Sequence, residues 1–358
     1  MLINNATTAK RFTVRTILAL FVPLCLTFLL AGCNFTPPLP QPTATLVPSP
    51  QPSNTQAATP ISSITPSQTL IQPTVTASTT DIPTDTVVPP EPTETPVPQI
   101  LRFAVIGDYG SGNQDEADVA DLVKRWNPDL IITTGDNNYP DGAASTIDEH
   151  IGQFYHEYIA PYLGSYGTGG QDNRLFPSLG NHDWNTAQAQ PYLDYFTLPG
   201  NERYYDFVRG PVHFFAIDSD SREPDGVGSS SLQAQWLKSG LEGSTSLWKI
   251  VYFHHAPYSS GFHGNVDWMQ WPFSEWGADA VLSGHDHTYE RISREGITYF
   301  VNGLGGNSRY SFLGAVEGSQ VRYNRDYGAM LVEASENSIH FQFINRVNEV
   351  IDSIELTR

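Results

Sequence analysis

Short apolar runs separated by polar stretches predict an α/β body in residues 100–358. Runs rich in β-branched side chains predict strands, and they lie at 100–106, 129–133, 175–179, 211–217, 248–253 and 278–282. Helical spacing of apolar residues predicts helices at 114–126, 145–162 and 231–241. Four later runs predict antiparallel strands, at 297–302, 328–334, 338–345 and 349–356. Strands that alternate with helices and then follow one another predict an α/β body completed by a second sheet.

Polar side chains follow the predicted strands at the points where the strands end. Open α/β sheets bind ligands in the crevice at the carboxyl ends of their strands. We therefore expect five segments that are remote in sequence to converge at one edge. The polar residues collected in this way are Asp108, Asp136, Tyr139, Asn181, His254, His285 and His287.

The stretch 283–291, Ser-Gly-His-Asp-His-Thr-Tyr-Glu-Arg, holds the densest cluster of such side chains. Gly284 permits a sharp turn after the strand at 278–282. On an extended backbone His285 and His287 point to the same side, where two imidazoles can bind a metal. One such pair is a weak signal, so the prediction depends on ligands from the distant segments.

The collected donors are carboxylate, amide, phenol and imidazole groups, without any thiolate. This set suits iron, manganese or zinc. Two ions can share it if one carboxylate bridges them at roughly 3.5–4 Å. Asp136 is the candidate bridge, because it lies on the central one of the first three loops.

Residues 1–33 have the pattern of a targeting segment. Lys10, Arg11 and Arg15 precede the apolar run 16–30, and Leu-Ala-Gly-Cys closes it at Cys33. The ending resembles a bacterial lipoprotein signal, which implies cleavage before Cys33, a lipid on its sulfur and anchorage to the membrane outside the cytoplasm. The alternative is an uncleaved anchor helix, for which the apolar run is short.

Residues 34–99 are dominated by Pro, Thr, Ser and Gln, which cannot bury a core, and predict a disordered linker. Cys25 and Cys33 are the only cysteines of the chain. Once the signal is removed, the body has no disulfide to support it. Residues 100–358 are numerous enough to form a catalytic domain that is stable without one.

The body is strongly acidic. Only three basic and four acidic residues precede residue 100, so residues 100–358 carry −18 of the chain's formal charge of −19. This charge disfavours nucleic acid as a preferred partner, since phosphate backbones attract basic surfaces. It is compatible with phosphate ester substrates, because metal ions reverse the potential locally inside a cleft.

Five motifs in order resemble those of the calcineurin-like metallophosphoesterases, and specifically the purple acid phosphatases. They are Gly-Asp-x-Gly at 107–110, Gly-Asp-x-x-Tyr at 135–139, Gly-Asn-His at 180–182, Val-x-x-His at 251–254 and Gly-His-x-His at 284–287. The resemblance covers the body from residue 102 onward. It implies a four-layer α/β/β/α sandwich, in which two packed mixed β-sheets are flanked by helices.

The resemblance also implies a ligand set. Most family members have a histidine where this chain has Gly110, and Tyr139 replaces it, as the phenolate of purple acid phosphatases does. The remaining assignments follow the family: Asp108, Tyr139 and His287 hold Fe(III); Asn181, His254 and His285 hold a divalent iron, zinc or manganese ion; and Asp136 bridges the two metals.

The implied activity is hydrolysis of phosphomonoesters by attack of a metal-bound hydroxide. His182 is the expected proton donor or phosphate contact, and Asp183 is expected to orient it. His263 lies where the family has a substrate-facing histidine, although a solvated loop histidine is an equal alternative. Arg291 is expected to form a supporting ion pair, and Arg309 to lie in a loop between strands.

His254 and His255 compete for one ligand position. The Val-x-x-His spacing selects His254, whereas the His-x-Pro pattern before Pro257 selects His255. Adjacent side chains on an extended backbone diverge, so we expect only one to bind the ion. We prefer His254 and expect His255 to support the site from behind.

Two other functions compete with the phosphomonoesterase. A phosphodiesterase or nucleotidase of the same superfamily would use the same metals. A non-catalytic surface binding domain is the more remote alternative, because degeneration normally removes ligands and all seven are present.

Overall fold

A computed structural model describes residues 100–358. The predicted signal, residues 1–33, and the predicted linker, residues 34–99, lie outside the described residues. The lipid on Cys33 and the location outside the cytoplasm therefore stay predictions. Within the described part, no helix has both the length and the apolar character needed to cross a membrane.

The first sheet has six strands in the order β13-β12-β11-β1-β2-β3. The strands β1 to β3 are parallel, and β11 joins β1 in antiparallel orientation. Their bounds are β1 Leu101–Ile106, β2 Leu130–Thr133, β3 Leu175–Pro177, β11 Gly328–Ala334, β12 Ser338–Asn345 and β13 Val350–Thr357.

The second sheet has seven strands in the order β10-β8-β9-β7-β6-β5-β4. Its centre is parallel, from β5 through β6 and β7 to β9, and its edges are antiparallel. The bounds are β4 Tyr205–Arg209, β5 Val212–Ala216, β6 Trp248–His255, β7 Ala280–Gly284, β8 Tyr289–Arg294, β9 Ile297–Asn302 and β10 Ser319–Tyr323.

Five α-helices complete the described fold. They are α1 Gln114–Trp126, α2 Gln153–Tyr155, α3 Gln190–Tyr195, α4 Leu232–Gly243 and α5 Phe273–Trp276. Helix α1 has the predicted bounds for local reasons. The side chain of Asn113 accepts a hydrogen bond from Glu116 N and caps the start, and Asn127 ends the helix with a left-handed backbone (φ 47°) before Pro128.

The two sheets pack face to face through aromatic side chains. Phe103 on β1 meets Phe214 on β5 edge-on, with ring centroids 5.0 Å apart. Tyr289 on β8 stacks on Phe343 of β12 at 4.2 Å. Such buried rings contribute large apolar areas to the core. Apolar residues of α1 pack on the first sheet and those of α4 and α5 on the second, which confirms the four-layer sandwich.

The predicted helix at 145–162 is wrong as a continuous element. The segment forms a π-helical turn at Asp148–Gly152, then α2, then a 3₁₀ turn at His156–Tyr158. Pro161 cannot continue a helix. The chain instead folds back, so that Asp148 accepts hydrogen bonds from the Tyr162 hydroxyl (2.6 Å) and from Ser165 N (2.8 Å).

The later runs form antiparallel strands as predicted, since β11 to β13 pair in that orientation and β9 is antiparallel to β8. The expectation that this run of strands completes the second sheet is wrong for β11 to β13, which extend the first sheet, and β9 also pairs in parallel with β7. Three strands, β4, β8 and β10, and two short helices, α3 and α5, were not predicted. The edge strand β10 alternates half-buried with exposed residues, so it lacks the apolar run that identifies a buried strand.

A largely buried ion pair joins the two sheets near their edge. Arg291 on β8 donates from Nε to Asp352 Oδ2 on β13 (2.7 Å) and from Nη2 to Oδ1 (3.1 Å). The Tyr289 hydroxyl donates to the same carboxylate (2.8 Å). This contact confirms the prediction that Arg291 forms a supporting ion pair.

We predict that Arg291→Ala lowers the free energy of unfolding by about 3 kcal/mol, because it leaves Asp352 as a buried charge without its cation. Urea unfolding of the purified protein at one fixed metal concentration measures the change. The matched control is Arg102→Ala, which breaks an exposed pair with Glu333 and should cost less than about 1 kcal/mol. Equal losses in the two variants would contradict the role of burial.

Candidate metal centre

The predicted ligand residues converge at one end of the two sheets. They come from the loops after β1, β2, β3 and β7 and from the end of β6. Each of the seven predicted ligands contacts at least one of the others: Asp108, Asp136, Tyr139, Asn181, His254, His285 and His287. The first sheet supplies the carboxylates, the tyrosine and the amide, and the second sheet supplies the histidines.

Three of these residues have a left-handed backbone although none is glycine. Their φ angles are 55° at Asp108, 52° at Asp136 and 68° at His285. Such conformations are unfavourable by about 1–3 kcal/mol each and gather at functional sites, where surrounding bonds hold them. The expected extended backbone at His285 is therefore wrong, although His285 and His287 both contribute to the cluster.

Gly110 explains why Tyr139 can take the place of a histidine ligand. A Cβ atom at Gly110 would lie 1.7 Å from the carbonyl oxygen of Asn137, so no side chain fits there. The loop after β2 packs directly on this glycine, and Tyr139 N donates to Gly110 O (2.7 Å). The missing side chain at residue 110 thus makes room for the loop that carries Tyr139.

The first donor group consists of Asp108, Tyr139 and His287. The Tyr139 hydroxyl lies 3.2 Å from Asp108 Oδ1 and 3.1 Å from His287 Nε2. Asp108 Oδ1 and His287 Nε2 are 3.3 Å apart. Three donor atoms of different chemistry therefore face one small volume.

The second donor group consists of Asn181, His254 and His285. His254 Nε2 lies 3.0 Å from Asn181 Oδ1 and 3.2 Å from His285 Nδ1. The amide oxygen and two imidazole nitrogens again suit a borderline transition metal ion.

Asp136 contacts both groups. Its Oδ2 lies 3.0 Å from the Tyr139 hydroxyl and 3.3 Å from His254 Nε2. Its Oδ1 accepts a hydrogen bond from His182 N (2.8 Å), which fixes the carboxylate against the third loop. This is the position that a bridging ligand between two ions requires.

Backbone carbonyls orient the histidines. His254 donates from Nδ1 to Thr134 O (2.9 Å), and His287 donates from Nδ1 to Ser308 O (2.7 Å). When the imidazole is neutral, each bond favours the tautomer in which Nδ1 carries the proton and Nε2 the lone pair. This arrangement is the usual support of a metal-binding histidine, so the donor set fits a pair of metal ions.

Burial and mutual charge shift the pKa values of the predicted ligands. Burial alone would lower the pKa of His254, but the charge of Asp136 outweighs it and raises that pKa to about 10. Burial would likewise raise the pKa of Asp136, but His254 and His182 hold it below its ordinary value. Without metal His254 is therefore protonated at neutral pH, and a metal ion must displace its proton.

The other donors are shifted in different directions. Burial raises the pKa of the Tyr139 phenol, and the charges of Asp136 and Asp108 raise it further. Burial and the neighbouring His254 lower the pKa of His285, so His285 is neutral at physiological pH. Tyr139 must lose its proton to act as a ligand, whereas His285 is already in its binding form.

His254, rather than His255, contacts Asp136 and Asn181. His255 pairs from Nδ1 with Ser219 Oγ (2.9 Å), and its ring centroid lies 4.5 Å from that of His285. Burial and the charge of His254 lower the pKa of His255 to about 3. His255 therefore packs behind His285 as a neutral side chain. A ring nitrogen of His255 lies within 4.8 Å of ring nitrogens of His254 and His285.

His182 lies at the mouth of the cluster, but Asp183 does not orient it. His182 donates from Nδ1 to the carbonyl of Pro140, and its Nε2 is 3.9 Å from Asp136 Oδ2. Asp183 instead accepts hydrogen bonds from Asn137 Nδ2 (2.8 Å) and Gly180 N (2.8 Å). The expected Asp183–His182 contact is wrong, because the carboxylate is buried between the loops after β2 and β3.

His263 borders the cluster on the opposite side. Its ring stacks on that of His285 at a centroid distance of 4.1 Å, and the residue is exposed. His182 and His263 are thus the two imidazoles that face solvent beside the predicted ligands.

The groups that support the ligands could not be recognised from the sequence. The carbonyls of Thr134 and Ser308 carry no side-chain signal, and Ser219 is an ordinary loop serine. Arg222 was also missed: it donates to Asn181 O (2.9 Å) and to Asp220 Oδ2 (2.8 Å), which clamps the Asn181 loop. Arg309 bonds to the carbonyls of Asn324 and Arg325, so it belongs to the loop as expected.

The chain is similar in sequence to known proteins. The family profile for calcineurin-like phosphoesterases matches residues 101–289, more than half of the chain. Purple acid phosphatase 3 of Arabidopsis thaliana is 28% identical over 291 residues, which cover 70% of this chain and 76% of that relative. Purple acid phosphatase 17 of the same plant is 28% identical over 239 residues, covering 57% of this chain and 68% of the relative.

Solved structures share the fold. GAP50, the anchor in the inner membrane complex of Plasmodium, aligns with a TM-score of 0.56 at 21% identity, covering 72% of this chain and 89% of GAP50. The purple acid phosphatase PPD1 from yellow lupin seeds aligns with a TM-score of 0.55 at 17% identity, covering 73% of this chain and 54% of PPD1. At these identities the likeness concerns the fold alone.

The profile match spans the strands and loops that carry all seven predicted ligands, and purple acid phosphatases are among the relatives by sequence. The chain therefore belongs to the calcineurin-like phosphoesterase family and is a hydrolase that acts on phosphoric ester bonds.

Proposed function

We propose that this protein is a phosphatase with two metal ions that hydrolyses phosphomonoesters, in the manner of a purple acid phosphatase. The observation that carries the proposal is the position of Asp136, whose carboxylate contacts both donor groups. The purple acid phosphatases among its relatives support the choice of substrate.

Asp108, Tyr139 and His287 would hold Fe(III), because a phenolate and a carboxylate suit that hard, highly charged ion. Asn181, His254 and His285 would hold a divalent iron, zinc or manganese ion, and Asp136 would touch both. Bound there, the two ions supply a water of lowered pKa and neutralise charge on the phosphate oxygens.

The chain's own contribution beyond the ligands is two imidazoles on either side of the cluster. His182 donates from Nδ1 to the Pro140 carbonyl, and its Nε2 lies 3.9 Å from Asp136 Oδ2. In the imidazolium form Nε2 also carries a proton, which it can give to the departing alcohol. His263 stacks on His285 and is placed to contact a phosphate oxygen. Asp183 and His255 act indirectly, by fixing the loop of Asn181 and by packing behind His285.

We predict that His182→Ala lowers kcat for phenyl phosphate by about a hundredfold, the usual contribution of a positioned proton donor. The assay uses protein reconstituted with iron and zinc, and metal content is measured alongside. His340→Ala is the matched control, because His340 lies on β12 of the first sheet, where its Nε2 pairs with Ser353 Oγ (2.7 Å) and not with the predicted ligands.

Two results would contradict the phosphomonoesterase proposal. One is a reconstituted wild-type protein that hydrolyses bis(p-nitrophenyl) phosphate with a higher kcat/KM than p-nitrophenyl phosphate, which indicates a phosphodiesterase. The other is full metal content with no hydrolysis of either ester, which indicates a binding domain.

We also predict that Fe(III)-loaded protein has a broad visible absorption band from phenolate-to-iron charge transfer, and that Tyr139→Phe abolishes it. Tyr109→Phe is the matched control. Tyr109 is buried in the adjacent loop, but its hydroxyl bonds to Asn137 Oδ1 (3.1 Å) and is no part of the donor groups. A band that persists in Tyr139→Phe, or a colourless wild-type protein after iron loading, would show that Tyr139 is not the ligand.

A further inference from the structure

Two strongly exposed aromatic side chains lie beside the predicted ligands. Phe262 is 61% exposed and Trp268 is 46% exposed, and among residues 100–358 Tyr166 is the one other aromatic residue exposed to a comparable degree. Trp268 packs against His255, with ring centroids 6.0 Å apart. Phe262 belongs to a second group of rings, on the side where His263 borders the cluster.

Phe262 is paired with a ring that is fixed to the metal centre. Tyr310 stacks nearly parallel to His287, with centroids 4.1 Å apart and planes 7° apart. Its backbone N donates to His287 O (3.0 Å). Phe262 lies next to it, with a centroid distance of 5.8 Å. We call Phe262 and Tyr310 the aromatic rim.

The loop that carries Phe262 is clamped by a buried carboxylate. Asp286, which lies between His285 and His287, accepts hydrogen bonds from Ser259 Oγ (2.5 Å) and His263 N (2.8 Å). Phe262 therefore sits on a short arch fixed on both sides. Its ring is exposed although its backbone is held firmly.

A second buried carboxylate holds the same loop. Glu290 on β8 accepts hydrogen bonds from Ser260 N (2.7 Å) and Ser260 Oγ (2.5 Å). Ser260 O in turn accepts from Leu313 N (2.9 Å), which ties the loop to the segment after Tyr310. The two halves of the aromatic rim are thus fixed relative to one another by backbone contacts.

We propose that the aromatic rim is a subsite for a flat aromatic ring in the leaving group of the phosphate ester. The proposal rests on the proposed phosphatase function, since the rim borders the place where the ester would bind. Rings stack on aromatic faces regardless of their substituents, so the subsite would accept nucleobases and aryl groups alike. Because the loop is already ordered, binding loses little conformational entropy.

The test compares adenosine 5′-monophosphate with ribose 5-phosphate. In both esters the bond that breaks joins phosphorus to the ribose 5′-oxygen, and the two differ at C1, where the nucleotide carries adenine and ribose 5-phosphate a hydroxyl. We expect kcat/KM to be about tenfold higher for the nucleotide, the effect of one stacked base. Adenosine, which has no phosphate, should inhibit hydrolysis of ribose 5-phosphate competitively, whereas ribose should not.

Phe262→Ala should remove this preference and the inhibition by adenosine, and leave kcat/KM for ribose 5-phosphate within about twofold. Tyr310→Ala should also remove the preference for the nucleotide, read as the ratio of the two kcat/KM values at measured metal content, because Tyr310 stacks on His287 and its loss can lower the hydrolysis of both esters. Tyr166→Ala is the control, because it removes an exposed aromatic ring outside the rim.

A second substrate pair separates nucleobases from rings bonded directly to the phosphate. The second pair is 1-naphthyl phosphate and phenyl phosphate. If Phe262→Ala lowers the kcat/KM preference for 1-naphthyl phosphate over phenyl phosphate but leaves the preference for the nucleotide unchanged, the rim is a subsite for aryl esters alone. Equal kcat/KM values within both pairs in wild-type protein, or a preference that survives in both rim variants, overturn the proposal. Failure to hydrolyse any of the four esters would instead refute the phosphatase function.

Discussion

The structure depends on the attraction between two buried carboxylates of one sheet and two histidines of the other. Asp108 faces His287 and Asp136 faces His254, each at 3.3 Å. These groups are fully or almost fully buried, so each charge is tolerated only because its partner is present. The strained backbone at Asp108 and Asp136 and the close-packed glycine loops serve to bring these charges together. A pair of metal ions fits this arrangement, because cations can replace the protons that the cluster otherwise holds.

Much of this site could be predicted because ligand chemistry is local in sequence. A strand followed by Gly-Asp or Gly-His places a side chain at a sheet edge, and five such segments identified all seven residues that the structure brings together. The supporting contacts could not be predicted in this way. The bond of Asp183 to Asn137, and the carbonyls that orient His254 and His287, depend on how loops pack.

In the fold, too, features set by neighbouring residues could be predicted, whereas features set by long-range packing could not. Helix α1 was predicted at its true bounds because its caps and its stop at Pro128 are local signals. The assignment of strands to sheets failed for β11 to β13, because pairing partners are set by long-range packing of aromatic side chains such as Phe300 and Phe341. The aromatic rim was missed for a related reason, since an isolated Phe262 in a loop gives no sign of what lies beside it.

The most direct test of the account is the number of metal ions per chain after reconstitution, measured by mass spectrometry of the purified protein. The account predicts two ions in the wild-type protein and fewer than two in Asp136→Ala, which removes the carboxylate whose Oδ2 contacts Tyr139 of the first donor group and His254 of the second. Asp194→Ala, an acidic residue on α3 that bonds to Gln190, is the control and should keep two. Two ions in Asp136→Ala, or a single ion in the wild-type protein, would contradict the shared centre.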